Sequence, residues 1–122
     1  MSLLESGENY LETILMLSKS QNEIHAIDIV NHLGYSKPSV SIMLKKLKED
    51  GYITINECSH IYLTEQGKEI AEKIYDRHTC LTNFFIKIGI NKKIAEEDAC
   101  KIEHDLSDES FTAIKKFAET IK

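Results

Sequence analysis

Three residues toward the C-terminal end of the chain, Cys100, Glu103 and His104, offer a thiol, a carboxylate and an imidazole at spacings i, i+3 and i+4. On an α-helix those positions share one face. They are also the commonest transition-metal donors in proteins. The bland alternative is a solvated pair near a helix end, where a histidine is favoured by the helix dipole alone. The surrounding residues bear on the choice. Ala95, Ala99, Ile102 and Leu106 make an apolar stripe. With Cys100 at zero and about 100° per residue, that stripe centres near 230° and the three donors near 350°. The donors therefore flank the stripe, where side chains meet neighbouring helices at a seam.

Composition bounds what such a cluster could serve. The 122 residues are 42% hydrophobic and 29% charged, enough for a core in one globular unit or a small module with a helical part. No apolar run approaches the roughly 20 residues that span a bilayer. The N-terminus, Met1-Ser2-Leu3-Leu4-Glu5, lacks the basic and apolar regions of a signal peptide. Cys58, Cys80 and Cys100 are scattered and odd in number, which argues for a reducing, cytoplasmic setting without disulfides. The net charge is −5, unfavourable for nucleic acid taken as a whole, but residues 35–56 carry four lysines against two acids.

The elements that position these groups follow in order. Residues 8–19 read as a helix with Leu11, Ile14, Leu15, Met16 and Leu17 as its apolar stripe. Asn9 and Glu12 lie together on a neighbouring face, whose ordinary fate is solvation. Ala26–Leu33 is a short helix with Ile27, Val30 and Leu33 inward, closed by Gly34. Ser36 caps the next helix and Pro38 falls in its first turn. Val40, Met43, Leu44 and Leu47 form its buried side. Ser36, Lys37, Pro38, Ser39, Ser41 and Lys45 sit at its start and outer faces, suited to phosphate and groove contacts. Tyr52–Asn56 and Ile61–Leu63 alternate with period two around a short loop, which predicts a hairpin. Helix, turn, helix, hairpin is the order of a winged helix. Thr64 caps a long helix, about Glu65 to Ile88, with His78 in its middle. Asn91 caps the helix of the opening cluster, and Ser107-Asp108 starts a last one with Phe111, Ile114, Phe117 and Ile121 inward.

With these motifs in place, the chain resembles the metal-dependent repressors of the diphtheria toxin repressor and manganese transport regulator type, from about Glu8 to Ile121. The matching motifs are Glu8–Ile14, Ser36–Ser41, Leu63–Gly67, Arg77-His78 and Glu97–Glu109. The resemblance implies a mainly α fold with a small β-hairpin. An N-terminal winged helix-turn-helix, residues 1–64, is followed by a helical metal-binding and dimerisation domain, residues 65–122. It implies metal donors at Asn9, Glu12, His78, Cys100, Glu103 and His104. Cys100 is similar to the iron-responsive branch. Glu12 and the short chain are similar to the manganese-responsive branch. The expected metal is Fe²⁺ or Mn²⁺, with Zn²⁺, Co²⁺ or Ni²⁺ accepted in vitro.

The expected function is thus a cytoplasmic, homodimeric, metal-activated repressor that binds an operator in double-stranded DNA and controls iron or manganese homeostasis genes. No membrane or small-molecule substrate is expected. A metal-independent winged-helix regulator, answering to a small ligand or to thiol oxidation at Cys58 or Cys80, is the second reading. An enzyme is not expected: no Gly-rich phosphate loop or activated nucleophile appears.

Overall fold

The computed structural model describes residues 5–121; the N-terminal residues 1–4, where the absence of a signal peptide is expected, lie outside them. Among the described residues the order is α1 (Glu5–Ser18), α2 (Ala26–Leu33), α3 (Lys37–Glu49), β1 (Ile53–Ile55), β2 (Ile61–Leu63), α4 (Glu65–Lys87), α5 (Lys92–Ile102) and α6 (Asp108–Ala118). The described residues divide between 72 and 73 into two compact units. No described helix is long and apolar enough to cross a membrane.

The first unit is a winged helix. α1 packs on α2 and β2, and α3 packs on α2 and β1. Leu11, Ile14, Ile29, Val40, Leu47 and Ile53 are essentially inaccessible and make its core. Ser36 caps α3 by accepting the Ser39 N–H at 3.2 Å, with Pro38 in the first turn where no N–H is needed. Gly34 ends α2 at φ 76°, in the left-handed region that favours glycine. The hairpin is antiparallel with Ile53 opposite Leu63 and Ile55 opposite Ile61. Its alternation buries Ile53 and Ile61 and exposes Thr54 and Tyr62. The Ile61 N–H donates to the Ile24 carbonyl at 2.8 Å, so the segment before α2 borders the wing. Beside that bond the His25 and His60 rings meet edge to face at 4.7 Å. Thr64 fastens the wing to α4: its hydroxyl donates to the Gly51 carbonyl at 2.8 Å and accepts the Gly67 N–H at 3.1 Å. Gly67 is required here, because a Cβ would stand 2.0 Å from the Tyr52 carbonyl oxygen.

The second unit packs the rest of α4 with α5 and α6. Leu81, Ala99 and Phe111 form its centre, with Phe85, Ile102, Leu106 and Ile114 against them. Asn91 caps α5 and Ser107 caps α6 through their side-chain oxygens.

Some expectations of burial are corrected. Ile27 is exposed and Ile29 is the buried isoleucine of α2. Ala26, Ile29, Val30 and Leu33 follow the i, i+3, i+4, i+7 spacing of one face, and Ile27 lies about 100° off it. Phe117 is 58% exposed, resting edge-on against Phe84, because the buried side of α6 runs through Phe111, Ile114 and Ala118. Met16 is exposed at the end of α1.

Candidate metal centre

The second unit brings together His78 from α4 with Glu103 and His104 from the end of α5. Glu103 caps α5 in helical conformation, its N–H bonded to the Ala99 carbonyl at 3.0 Å. It follows Ala99 by one helical turn and so stays on the buried side. Its side chain is 0% exposed. His78 Nδ1 lies 2.9 Å from Glu103 Oε2, in hydrogen-bonding geometry. His104 Nε2 lies 3.4 Å from Glu103 Oε1, with its own side chain 1% exposed. That contact is not a hydrogen bond, and Glu103 Oε1 is buried without a hydrogen-bond partner.

This arrangement is expensive as it stands. Leaving a buried acceptor unsatisfied costs about 1–3 kcal/mol, more for a charged group. A cation removes that penalty. Two imidazoles and a carboxylate form an N/O donor set that suits Mn²⁺, Fe²⁺, Co²⁺ or Zn²⁺. The donor types therefore suit a divalent transition metal.

The remaining candidates divide by unit. Cys100 is exposed, in contrast to Glu103. Both flank one apolar stripe, but Glu103 lies about 70° from the stripe centre and Cys100 about 130°. Asn9 and Glu12 stand on α1 in the first unit. Asn9 is half-buried and Glu12 only 8% exposed, so the solvated face expected there is corrected for Glu12. Ser36, Lys37, Pro38, Ser39, Ser41 and Lys45 are all exposed on α3. An exposed helix start with hydroxyls and lysines can take phosphate oxygens on its free N–H groups and side chains.

Arg77, directly before His78 in the sequence, adjoins the centre. Arg77 is 4% exposed, and its Nη1 donates to the carbonyls of Glu103 at 3.0 Å and Leu106 at 2.6 Å. Its Nη2 meets Asp108 Oδ1 at 2.5 Å. Lys73 pairs with the same oxygen at 3.1 Å. The Lys73 ammonium, by hydrogen bond and charge, and then Arg77 hold the Asp108 carboxyl below the usual carboxylate range. A signal for Arg77 does exist in the sequence: Ile70, Ile74, Arg77 and Leu81 keep helical spacing, which puts a guanidinium on an apolar stripe.

Comparison with known proteins agrees with this architecture. The iron dependent repressor N-terminal DNA binding domain matches residues 2–61. The iron dependent repressor metal binding and dimerisation domain matches residues 64–122. An HTH-type transcriptional regulator of Methanocaldococcus jannaschii is 38% identical over 97% of this chain and 96% of its own length. The transcriptional regulator MntR of Escherichia coli O6:H1 is 32% identical over 92% of this chain and 72% of its own. Among solved structures, the manganese regulator SloR superposes with a TM-score of 0.83 at 27% identity, over 98% of this chain and 55% of that one. A manganese-dependent transcriptional repressor in complex with manganese shares the fold, with a TM-score of 0.85 at 23% identity, over 93% of this chain and 52% of that one. The chain thus spans about half the length of these two structures. A winged helix, a buried carboxylate between two imidazoles, and these matches over both halves lead to one conclusion: the chain belongs to the iron dependent repressor family.

Proposed function

We propose that this protein is a metal-activated DNA-binding transcriptional repressor serving manganese or iron homeostasis. The observation that carries the reading is the fully buried Glu103 carboxylate, set between His78 and His104 with Oε1 unsatisfied, in a chain that also folds a winged helix. The metal ligands in this proposal are His78, Glu103 and His104, completed by Glu12 and Asn9 of α1 and by Cys100 through its thiol or backbone. Glu12 is a buried carboxylate on α1, and its support too is the resemblance of its sequence position. Support for the α1 pair and for Cys100 is the resemblance of their sequence positions. The domain division at residues 64 and 65 belongs to the same reading.

When bound, the cation supplies the positive charge that the buried carboxylate lacks. The protein's own groups do the rest. His78 orients the Glu103 carboxylate through its 2.9 Å contact, and the buried His104 ring lies beside the other oxygen. In the first unit, α3 presents Ser36, Ser39, Ser41, Lys37 and Lys45 to a DNA major groove and its phosphates. As a homodimer the protein places two such helices about 34 Å apart, one helical turn of DNA. Metal activation requires that the DNA-competent arrangement bind metal more tightly than the others.

Thiol oxidation is less well supported. Burial, and then the neighbouring Asp76 carboxylate, push the Cys80 thiol up, which lowers its thiolate fraction at neutral pH. The test is a mobility-shift assay on DNA selected from a random pool by the Mn²⁺-treated protein. Binding in Mn²⁺ or Fe²⁺ that is lost in chelator is the expected result. Equal affinity in both conditions overturns the proposal.

A further inference from the structure

Glu103 is gripped at both ends by consecutive residues of α4. His78 Nδ1 meets its carboxylate at 2.9 Å. Arg77 Nη1 meets its main-chain carbonyl at 3.0 Å. The same nitrogen takes the Leu106 carbonyl at 2.6 Å. The Glu103 carbonyl is at the C-cap of α5, where helix geometry leaves carbonyls without internal donors and favours a cation, and the Leu106 carbonyl lies in the turn that follows. From its other nitrogen the guanidinium reaches Asp108, in the first turn of α6. The Phe111 ring covers it, with the guanidinium carbon 5.2 Å from the ring centroid. A single buried fork thus ties the end of α5, the 103–107 turn and the start of α6 to the helical turn that carries His78.

We infer that Arg77 is the positioning residue of the metal centre: by holding the Glu103 and Leu106 carbonyls it sets the Glu103 carboxylate and the His104 ring against His78. The inference rests on the reading of this centre as a metal site. Its physical basis is geometry. The backbone of the turn after α5 bonds back to the helix through the Glu103 N–H to Ala99 and the Asp105 and Leu106 N–H groups to Ile102, and the Arg77 fork adds the side-chain hold. Metal ligation demands donors placed within a few tenths of an ångström, and groups that orient ligands typically change affinity 10–100-fold when removed. Arginine suits the role because its planar fork addresses two carbonyls and a carboxylate at once. Lysine would keep the charge and lose the fork. Asp108 by contrast lies on the solvent side, 75% exposed, and contributes no bond to the turn that holds the donors.

The experiment titrates Co²⁺ and Mn²⁺ into the intact protein, reading the visible ligand-field bands of Co²⁺ and the free Mn²⁺ signal in paramagnetic resonance. The wild type binding neither ion overturns the metal reading itself, whatever Arg77 does. With wild-type binding established, Arg77→Lys is expected to bind at least tenfold more weakly and to shift the Co²⁺ bands. Asp108→Asn, which leaves both carbonyl bonds in place, is expected to stay within about twofold of wild type with unchanged bands. Wild-type affinity and spectrum in Arg77→Lys overturns the inference. So does a tenfold loss in Asp108→Asn, which places the effect in the ion pair and not in the grip on the turn; should Arg77→Lys not fold, Arg77→Gln, which also loses the fork, takes its place with the same two outcomes.

Discussion

The substitution Glu103→Gln separates the two states of the metal centre, because its effect should change sign between them. The amide keeps the shape of the side chain and an oxygen for His78 to bind, and removes one negative charge from a position that is 0% exposed. Without metal, the change replaces a charged oxygen that is buried without a hydrogen-bond partner. Such a group costs about 1–3 kcal/mol. The chelated variant should therefore melt at or above the temperature of the chelated wild type. With metal, a carboxylate donor has become a neutral amide, and a hundredfold loss of affinity corresponds to about 2.7 kcal/mol. At free Mn²⁺ about 1,000 times the wild-type dissociation constant, binding stabilises the wild type by about 4.1 kcal/mol. The same solution is then about tenfold above the variant's dissociation constant, which gives about 1.4 kcal/mol. For a chain of this size each kcal/mol moves the midpoint by about 4 °C. The metal-induced rise should fall from about 16 °C to about 6 °C on the same scale. Scanning calorimetry in Mn²⁺ and in chelator reads both numbers. An equal metal-induced rise in the two proteins would refute the assignment of Glu103 as a ligand.

Three further outcomes follow from the same structure. His78→Ala should likewise weaken the metal response, but it strips the 2.9 Å contact from the buried Glu103 carboxylate, so the chelated protein should lose about 1–3 kcal/mol in urea denaturation, opposite in sign to Glu103→Gln. Gly67→Ala places a Cβ 2.0 Å from the Tyr52 carbonyl oxygen where the wing joins α4, and should lower stability by about 1–3 kcal/mol or more, with an unchanged urea midpoint counting against it. The Asp108 carboxyl is depressed by Lys73 and Arg77, so its contribution is present above its ordinary range and lost as pH falls through the folded value. Asp108→Asn should flatten only that acid limb of the stability profile, measured by thermal melts from neutral pH downward.

Much of the winged helix was legible because its determinants are local. Ser36 and Pro38 declare the start of α3, Gly34 the end of α2, and the period-two alternation around 57–60 sets which hairpin residues are buried. Caps, left-handed glycines and strand alternation act over a few residues, so a sequence displays them directly. The donor cluster at the end of α5 was legible for the same reason, as spacing on a helix.

What the tertiary structure decided was the environment of each donor. Cys100, Glu103 and His104 are equivalent candidates on a helical wheel. Packing on Leu81 and Phe111 draws the Ala99 side of α5 inward, which buries Glu103 and leaves Cys100 exposed. His104 lies about 170° from the stripe centre and by that measure points outward. It is 1% exposed instead, beyond the last residue of α5 in a turn held by Arg77. Periodicity says which residues share a face while a helix lasts. Where the helix stops, and which buried guanidinium takes the carbonyls of its cap and the turn beyond, depend on contacts between residues 26 to 31 positions apart. Those contacts are set by the packing of α4, α5 and α6, and no local pattern in the sequence encodes them.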